Sequence, residues 1–341
     1  MDPNLRYVRT EKNRSKKRRI LLFIVLPLML IIAGGVGYGS YIYNKAKAAA
    51  NNAFTELDRG GKSEKREKAV APLKDNISLL IMGVDESDER QSDYGTAIRT
   101  DALLLMTINK DDKSIKLVSI PRDSRVYIPS LNKKDKIAHA HVFGGVDNTI
   151  NTVERFLDVP VDYYVKFNFK SFIKIVDTLG GIDVDVPINF SEQDSHGTPN
   201  AIRLTKGYQH LNGEQALALA RTRHVDSDYM RGQRQELVLD AIAHKAASLQ
   251  SVSKLSSLID AVGADMKTNL TFDDTMAITK NMIGSQLQME KMQIKGEDKY
   301  IMTNGNNIYY YEPDQDSVKK ISNELKQHLD VSNKSEHKKV Q

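Results

Sequence analysis

Hydrophobic positions along the chain fall into three patterns, and each predicts a different kind of element. Ile20–Tyr43 is an uncharged run dominated by Leu, Ile and Val, with Gly34, Gly35, Gly37 and Gly39 toward its far end. About 20 apolar residues span a bilayer, so this run predicts one transmembrane helix. From Asn76 the pattern shortens: Ile77, Leu79, Leu80, Ile81 and Met82 read as a buried strand ending at Gly83, with Asp85 in the loop beyond. Asp101–Asn109 and Ser114–Ile120 predict two further strands, joined by a turn containing Asp111 and Asp112. If Asn109 faces Ser114, antiparallel pairing brings Asp101 within a residue or two of Arg122. Asp85 joins them if the first strand runs parallel to the third. Arg99, Asp101, Arg122 and Asp123 then gather at one sheet end, the place where ligands bind in open α/β sheets.

The remaining pattern alternates strand and helix. Lys136–Gly145 holds His139 and His141, which alternate like strand residues and read as structural rather than zinc-binding. Gly144 and Gly145 lead into a helix carrying Ile150, Val153 and Leu157, which read as ordinary core. Val161–Phe169 is a strand, Phe172–Leu179 a helix closed by Gly180 and Gly181, Ile182–Val186 a strand and Ser191–Asn200 a polar loop. Leu211–Ala220 predicts a helix, with Asn212 as N-cap and Gln215 completing a capping box. Leu239, Ile242, Ala246 and Leu249 recur at helical spacing after it. Arg221–Gln235 is therefore a short link, with Arg231, Arg234 and Gln235 on one face of the second helix. Past Gln250, helical patterns flank a strand-rich stretch, Met289–Tyr311, that ends in three tyrosines.

Charge adds an orientation. The formal net charge is +5. Residues 1–19 hold eight basic side chains against Asp2 and Glu11, so this tail alone is +6 and the rest of the chain is about −1. The body is not a general nucleic-acid binder, and its arginines matter as local clusters. A basic flank before an apolar run places the N-terminus in the cytoplasm and everything after Asn44 outside: a single-pass type II protein of the cell membrane with an extracellular body. A cleaved signal peptide is the rival, since Ala46-Lys47-Ala48 mimics a cleavage site. The apolar region of such a peptide runs only about 7–15 residues, which favours the uncleaved anchor. Lys45–Lys74, rich in Lys, Ala, Glu and Gly, reads as a stalk. The chain has no cysteine, which excludes disulfides, zinc-thiolate sites and a cysteine nucleophile.

The candidate chemistry lies in the arginine and carboxylate segments. Asp85, Asp101 and Asp228 could hold one hard cation such as Mg²⁺, which takes carboxylates plus water and substrate phosphates. Arg99, Arg122, Arg221, Arg223 and Arg231 could clamp a pyrophosphate with planar forks, beside a helix N-terminus that itself favours anions. Metal and arginines together are the recurring apparatus of phosphoryl transfer. Taken singly, Arg99–Asp101 and Arg122–Asp123 fit local ion pairing at a sheet end equally well. The convergence of three such segments favours a site.

Leu80-Ile81-Met82-Gly83-Val84-Asp85, Arg99-Thr100-Asp101, Ser119-Ile120-Pro121-Arg122-Asp123 and Lys136-Ile137 before Phe143-Gly144-Gly145 resemble the LytR–CpsA–Psr family in order and spacing. So do Asp177-Thr178-Leu179-Gly180-Gly181-Ile182 and Arg221–Gln235. The resemblance implies an α/β fold, a mixed central sheet sandwiched between helices, with an apolar groove for a polyprenyl chain, here preceded by the transmembrane helix. The resemblance covers about residues 76–250 by motif, the expected catalytic core, and more loosely to Leu329; with the charge and hydropathy reading the chain divides into residues 1–19 as cytoplasmic tail, 20–43 as anchor, 44–75 as stalk, 76–250 as that core, 251–332 as the rest of the extracellular domain and 333–341 as a terminal tail. The implied activity is phosphotransfer of an anionic wall glycopolymer, such as wall teichoic acid, from an undecaprenyl-pyrophosphate carrier to peptidoglycan. The acceptor is the C6 hydroxyl of N-acetylmuramic acid. By family roles Asp85 and Asp101 associate with Mg²⁺, while Arg99, Arg122, Lys136, Arg221, Arg223 and Gln235 match pyrophosphate-binding positions. Asp228 and Arg231 match the family's Asp-x-x-Arg, and Asp101, Arg122 and Asp228 are the expected catalytic set. Met230 departs from the pattern, which often has glycine before that arginine. Two other readings share these residues: a pyrophosphatase that releases the polymer to water, and a non-enzymatic envelope regulator that binds lipid-linked polymer.

Overall fold

The computed structural model describes residues 26–85, 98–222, 228–247, 252–282, 288–303 and 305–331. The chain divides into two units, 1–48 and 49–341. Helix α1 (Leu26–Ala53) makes up most of the described part of the first. Among the described residues no helix is long and apolar enough to cross a membrane. The expected anchor begins in residues 20–25, which lie outside that set, as do the tails 1–19 and 333–341.

In the second unit the chain forms β1 (Ile77–Val84), β2 (Thr100–Asn109), β3 (Ser114–Ser119), β4 (Arg125–Ile128), β5 (Lys133–Lys136), α2 (His139–Val142), α3 (Gly145–Leu157) and β6 (Tyr163–Asn168). There follow α4 (Phe169–Leu179), β7 (Ile182–Val186), β8 (Phe190–Glu192), β9 (Ile202–Leu204), β10 (Gly207–Leu211), α5 (Gly213–Arg221) and α6 (Asp228–Ala247). The chain ends with α7 (Val252–Asp265), β11 (Lys267–Thr268), α8 (Phe272–Met282), β12 (Gln288–Gln293), β13 (Gly296–Thr303), β14 (Asn306–Pro313) and α9 (Gln315–His328).

Six strands make the central sheet in the order β11-β6-β1-β2-β3-β12. β1 pairs parallel with β6, and β3 with β12, while β2 runs antiparallel to both its neighbours, so the sheet is mixed. The hairpin register is the expected one, with Asn109 opposite Ser114. Because β2 opposes both β1 and β3, those two strands point the same way and their ends lie at one edge of the fold. Strand alternation sorts the core. Leu80, Met82, Leu103, Leu105 and Val118 pack with Ile150, Val153 and Leu157 of α3 and Val318, Ile321 and Leu325 of α9. Ile77, Leu79, Met106 and Ile108 project to the other face, against Leu270, which precedes α8, and Ile278 within it. Phe172, Val176, Leu217, Leu219 and Val238 of α4, α5 and α6 build a second cluster there, with Phe167 of β6.

Local signals place the helices. Asn168 Oδ1 accepts from Ser171 N, which starts α4 three residues before the expected Phe172; Gly180, at φ +82°, ends it. The Asn212–Gln215 capping box opens α5 as predicted. Two expectations change. His139 and His141 lie in a helical turn, not a strand, because the chain bends after β5 with Ala140 N donating to Ile137 O at 3.0 Å. The segment read as a stalk is, from residue 49, part of the domain. Leu57 joins the core, Arg59 pairs with Glu154 at 2.8 Å, and Arg66 pairs with Asp162 at 2.6 Å. Charged composition suggested solvent; partners about ninety residues away supply the counter-charges.

Candidate active site

The site forms where β1, β2 and β3 meet at one sheet end. Gly83 pairs with Ala102 but Val84 pairs with Thr100, so Asp101 is the extra residue of a β-bulge, a device that re-aims a side chain. Its carboxylate accepts from Arg122 Nη1. Arg122 leaves β3 on a short segment whose backbone is held on every side. Ile120 N donates to Leu103 O at 2.9 Å, Ala138 N to Arg122 O at 3.1 Å, and Tyr311 N to Asp123 O at 2.9 Å. Lys136 Nζ lies 2.8 Å from Asp123 Oδ1. Asp85 follows β1 directly, at the same sheet end. Arg99 precedes β2 and is exposed. His141 Nδ1 bonds Ile98 O at 3.0 Å, which fixes the backbone just before it.

The arginine link approaches from α5 and α6. A Cβ on Gly232 would stand 2.5 Å from Ser119 Oγ, so only glycine lets α6 come this close to the end of β3. Arg231 and Arg234 are buried on the inner side of α6, and Arg234 Nη2 donates to Thr222 O at 2.7 Å. Gln235 Nε2 donates to Asp101 O at 3.3 Å and Ala220 O at 3.2 Å, tying the link to the bulge. Arg221 closes α5, donates to Asp194 O at 2.7 Å and to Gln193 O, and stands over the Phe169 ring at 5.9 Å. Half of its fork therefore holds the 193–194 loop. The Nε atoms of Arg122 and Arg221 are buried with no hydrogen-bond partner among the described residues. Asp228 opens α6, and Arg223 lies outside the described residues.

Beside these groups lies a small apolar pocket of about 50 Å³. Phe167, Phe169, Phe172, Leu217 and Val238 line it, and Asp101, Arg221 and Gln235 stand among the same walls. It joins β1, β2, β6, α4, α5 and α6, elements scattered over 157 residues from Gly83 to Leu239, which is why no local pattern revealed it.

Asp101, Arg122, Lys136, Arg221 and Gln235 are thus brought together with Asp85 beside them. Sequence reasoning gave no role to Glu236. Burial pushes its carboxyl up to about 7, with Lys291 and Gln293 drawing it only partly back. It lies one turn beyond Gly232, on the helix face that meets β3, and that spacing was the readable signal. Among the described residues no group of three or more metal-ligating side chains forms. A divalent ion here would rest on Asp85 and Asp101 with water and phosphate oxygens, which suits the hard, oxygen-seeking Mg²⁺.

Comparison with known proteins adds a family. The LytR_cpsA_psr family profile matches residues 40–327. The polyisoprenyl-teichoic acid–peptidoglycan teichoic acid transferase TagU of Bacillus subtilis is 39% identical over 322 residues, covering 94% of this chain and 99% of that protein. A structure described as TagT bound to LIIa-WTA superposes with a TM-score of 0.67 at 38% identity, covering 81% of this chain and all of that one. Another, the LytR-CPS2A-psr family protein YwtF (TagT) with bound octaprenyl pyrophosphate lipid, gives 0.63 at 36% identity, with coverage of 81% and 100%.

Proposed function

The chain belongs to the LytR_cpsA_psr family, and from that premise we propose that it transfers an anionic wall glycopolymer, wall teichoic acid or a close analogue, from undecaprenyl pyrophosphate to the C6 hydroxyl of N-acetylmuramic acid in peptidoglycan. The observation that carries this reading is the juxtaposition of an apolar pocket with Asp101, Arg221 and Gln235 in its walls and Arg122 bonded to that aspartate. A polyprenyl pyrophosphate has the matching two-part chemistry, an apolar chain joined to a doubly phosphorylated head. The relative with bound octaprenyl pyrophosphate supports the match.

In this mechanism the pocket receives the first apolar carbons of the lipid, next to its phosphate, and the guanidinium nitrogens of Arg122 and Arg221 that lack internal partners donate to the pyrophosphate oxygens. Arg99, Lys136, Arg223 and Arg231 add positive charge around the same group, and Gln235 holds the bulge in place. The acceptor oxygen bonds to the phosphorus that carries the polymer while the bond to the lipid phosphate breaks. The hydroxyl proton passes to a carboxylate, Asp101 or the family-matched Asp228, and lipid monophosphate departs. Asp85 and Asp101 would hold Mg²⁺, which supplies neutralisation of phosphate charge. Residues 20–43 would anchor the chain with its body outside the cell, so protease added to protoplasts should remove the body and spare the basic tail.

The test combines purified protein, lipid-linked polymer, peptidoglycan oligomers and a Mg²⁺ titration. A phosphodiester-linked glycan product with release of lipid monophosphate is expected. Release of polymer to water alone would make the protein a hydrolase, and binding without turnover would make it a regulator.

A further inference from the structure

Hairpin β13–β14 carries an aromatic face that the transfer site does not use. Its register opposes Tyr300 to Tyr309 and Met302 to Asn307, so these four side chains share one side of the ribbon. Tyr300 is 64% exposed and Met302 69%. The Tyr300 and Tyr309 rings meet edge to face with centroids 5.6 Å apart, and Tyr309 Oη donates to Asp298 Oδ1 at 2.8 Å. Side chains of this size stand in water at a cost, and a rigid exposed group of them marks a binding surface.

The hairpin is joined to the phosphate site. Tyr311 N bonds Asp123 O, and the Lys136 ammonium lies 5.6 Å and 5.7 Å from the Tyr309 and Tyr310 ring centres. The same ammonium pairs with Asp123, the residue after Arg122. The two sides of Arg122 differ. The apolar pocket opens on the sheet face covered by α4, α5 and α6. The hairpin attaches beside β4 through the Ser124–Tyr311 bridge, and Tyr311 Oη donates to Ile294 O, in the layer that packs with α3 and α9.

In-line displacement puts the attacking oxygen opposite the leaving one. With the lipid phosphate leaving toward the pocket, the acceptor hydroxyl arrives from the hairpin side. We propose that the Tyr300–Tyr309 face is the docking surface for the acceptor glycan strand, whose pyranose rings present apolar C–H faces to the tyrosines. This rests on the transferase reading above. Glu312 is paired with Arg125 at 3.3 Å and Asp298 accepts from the Tyr309 hydroxyl at 2.8 Å, so the face presents ring surfaces rather than the arginine forks that bind the phosphates of a polyanion.

The test uses full-length protein in detergent and peptide-free glycan-strand oligosaccharides, titrated calorimetrically and then supplied as acceptors. Tyr300→Ala should weaken glycan binding and raise the acceptor KM by about tenfold. Turnover at saturating acceptor and affinity for polyprenyl pyrophosphate should stay within about twofold. Tyr300→Phe should behave as wild type, and Met302→Ser, on the same face, should repeat the loss in milder form. Equal glycan affinity in wild type and Tyr300→Ala would overturn the proposal. So would absent glycan binding by the wild type, or a Tyr300→Ala loss confined to the anionic polymer. Glycan binding that depends on Tyr300 without any transfer product would instead sink the transferase reading and leave the docking surface standing.

Discussion

Where β1 and β6 begin, carboxylates are saturated with partners; where β1 and β3 end and β2 begins, beside the arginine link, polar side chains are not. At the first end Asp162 accepts from Arg66 Nε at 2.9 Å, Arg66 Nη2 at 2.6 Å, Ser78 N at 2.9 Å and Ser78 Oγ at 3.0 Å. Glu154 accepts from Arg59 Nη1 at 2.8 Å, Ser63 Oγ at 2.6 Å and Val161 N at 2.8 Å. At the second end Arg122 Nε, Arg221 Nε, Thr100 Oγ1, Ser124 Oγ, Thr222 Oγ1 and Glu236 Oε1 are buried with no hydrogen-bond partner among the described residues, whereas at the first end Arg59 Nε is in that state. A buried polar atom left unmade costs about 1–3 kcal/mol. The same residue types therefore do different work. One set fastens residues 54–75 to the domain, and the other is held short of partners that a phosphate can supply.

The largest effect should come from breaking the saturated end. Asp162→Ala strands the Arg66 guanidinium and the Ser78 donors, and loss of one partner of a buried pair costs about 3–5 kcal/mol. Thermal melting should fall by roughly 10 °C, while the transfer rate per folded molecule stays near wild type. A rate that falls further than the folded fraction would erase the distinction between the two ends.

Glu236 tests the cost carried at the unsaturated end. Its folded-state carboxyl titrates near 7, above its ordinary value. The group is neutral in both states at low pH, so its stability contribution is present there and is lost as pH rises through 7, where the folded state must bury a charge. The penalty above pH 7 is at most about 3 kcal/mol. Glu236→Gln should leave the melting temperature unchanged near pH 4 and raise it at pH 8. Parallel melting curves for variant and wild type across that range would show that Glu236 carries no such burden.

Third in size is Arg122→Lys, which keeps the charge and loses the fork. A charge-assisted hydrogen bond is worth about 1.5–3 kcal/mol, so kcat/KM should drop at least tenfold, with melting little altered. An Arg122→Lys enzyme at the wild-type rate would remove Arg122 from the clamp.

How much of this could be read in advance depended on the range of the contact. The Asp101–Arg122 pair was legible because one hairpin turn, Asn109–Ser114, sets the register that carries it. The Asn212–Gln215 cap was legible because it is complete within four residues. The Arg66–Asp162 and Arg59–Glu154 pairs span about ninety residues, and nothing near Arg66 announces a buried carboxylate, so the segment looked like a solvated stalk. His139 and His141 misled because two alternating residues fit a strand and a helical turn alike, and backbone bonding after β5 decided it. The pocket required six elements to be placed before its walls existed.

The smallest effect is expected at Arg203, and it gives the comparison its baseline. Arg203 lies exposed in β9, opposite Ser191 of β8, the strand that leads into the Gln193–Asp194 loop held by Arg221. It is thus near the unsaturated end without belonging to it, and no family motif includes it. Arg203→Lys makes the same chemical change as Arg122→Lys: one planar fork becomes one ammonium. An exposed arginine keeps its hydration in either form, so stability should shift by less than about 0.5 kcal/mol and kcat/KM by less than about twofold. Melting and transfer kinetics measured side by side on the two variants decide whether position or residue type matters. Indistinguishable rates would mean that the arginines around the β2 bulge are surface charge like any other, whatever their burial.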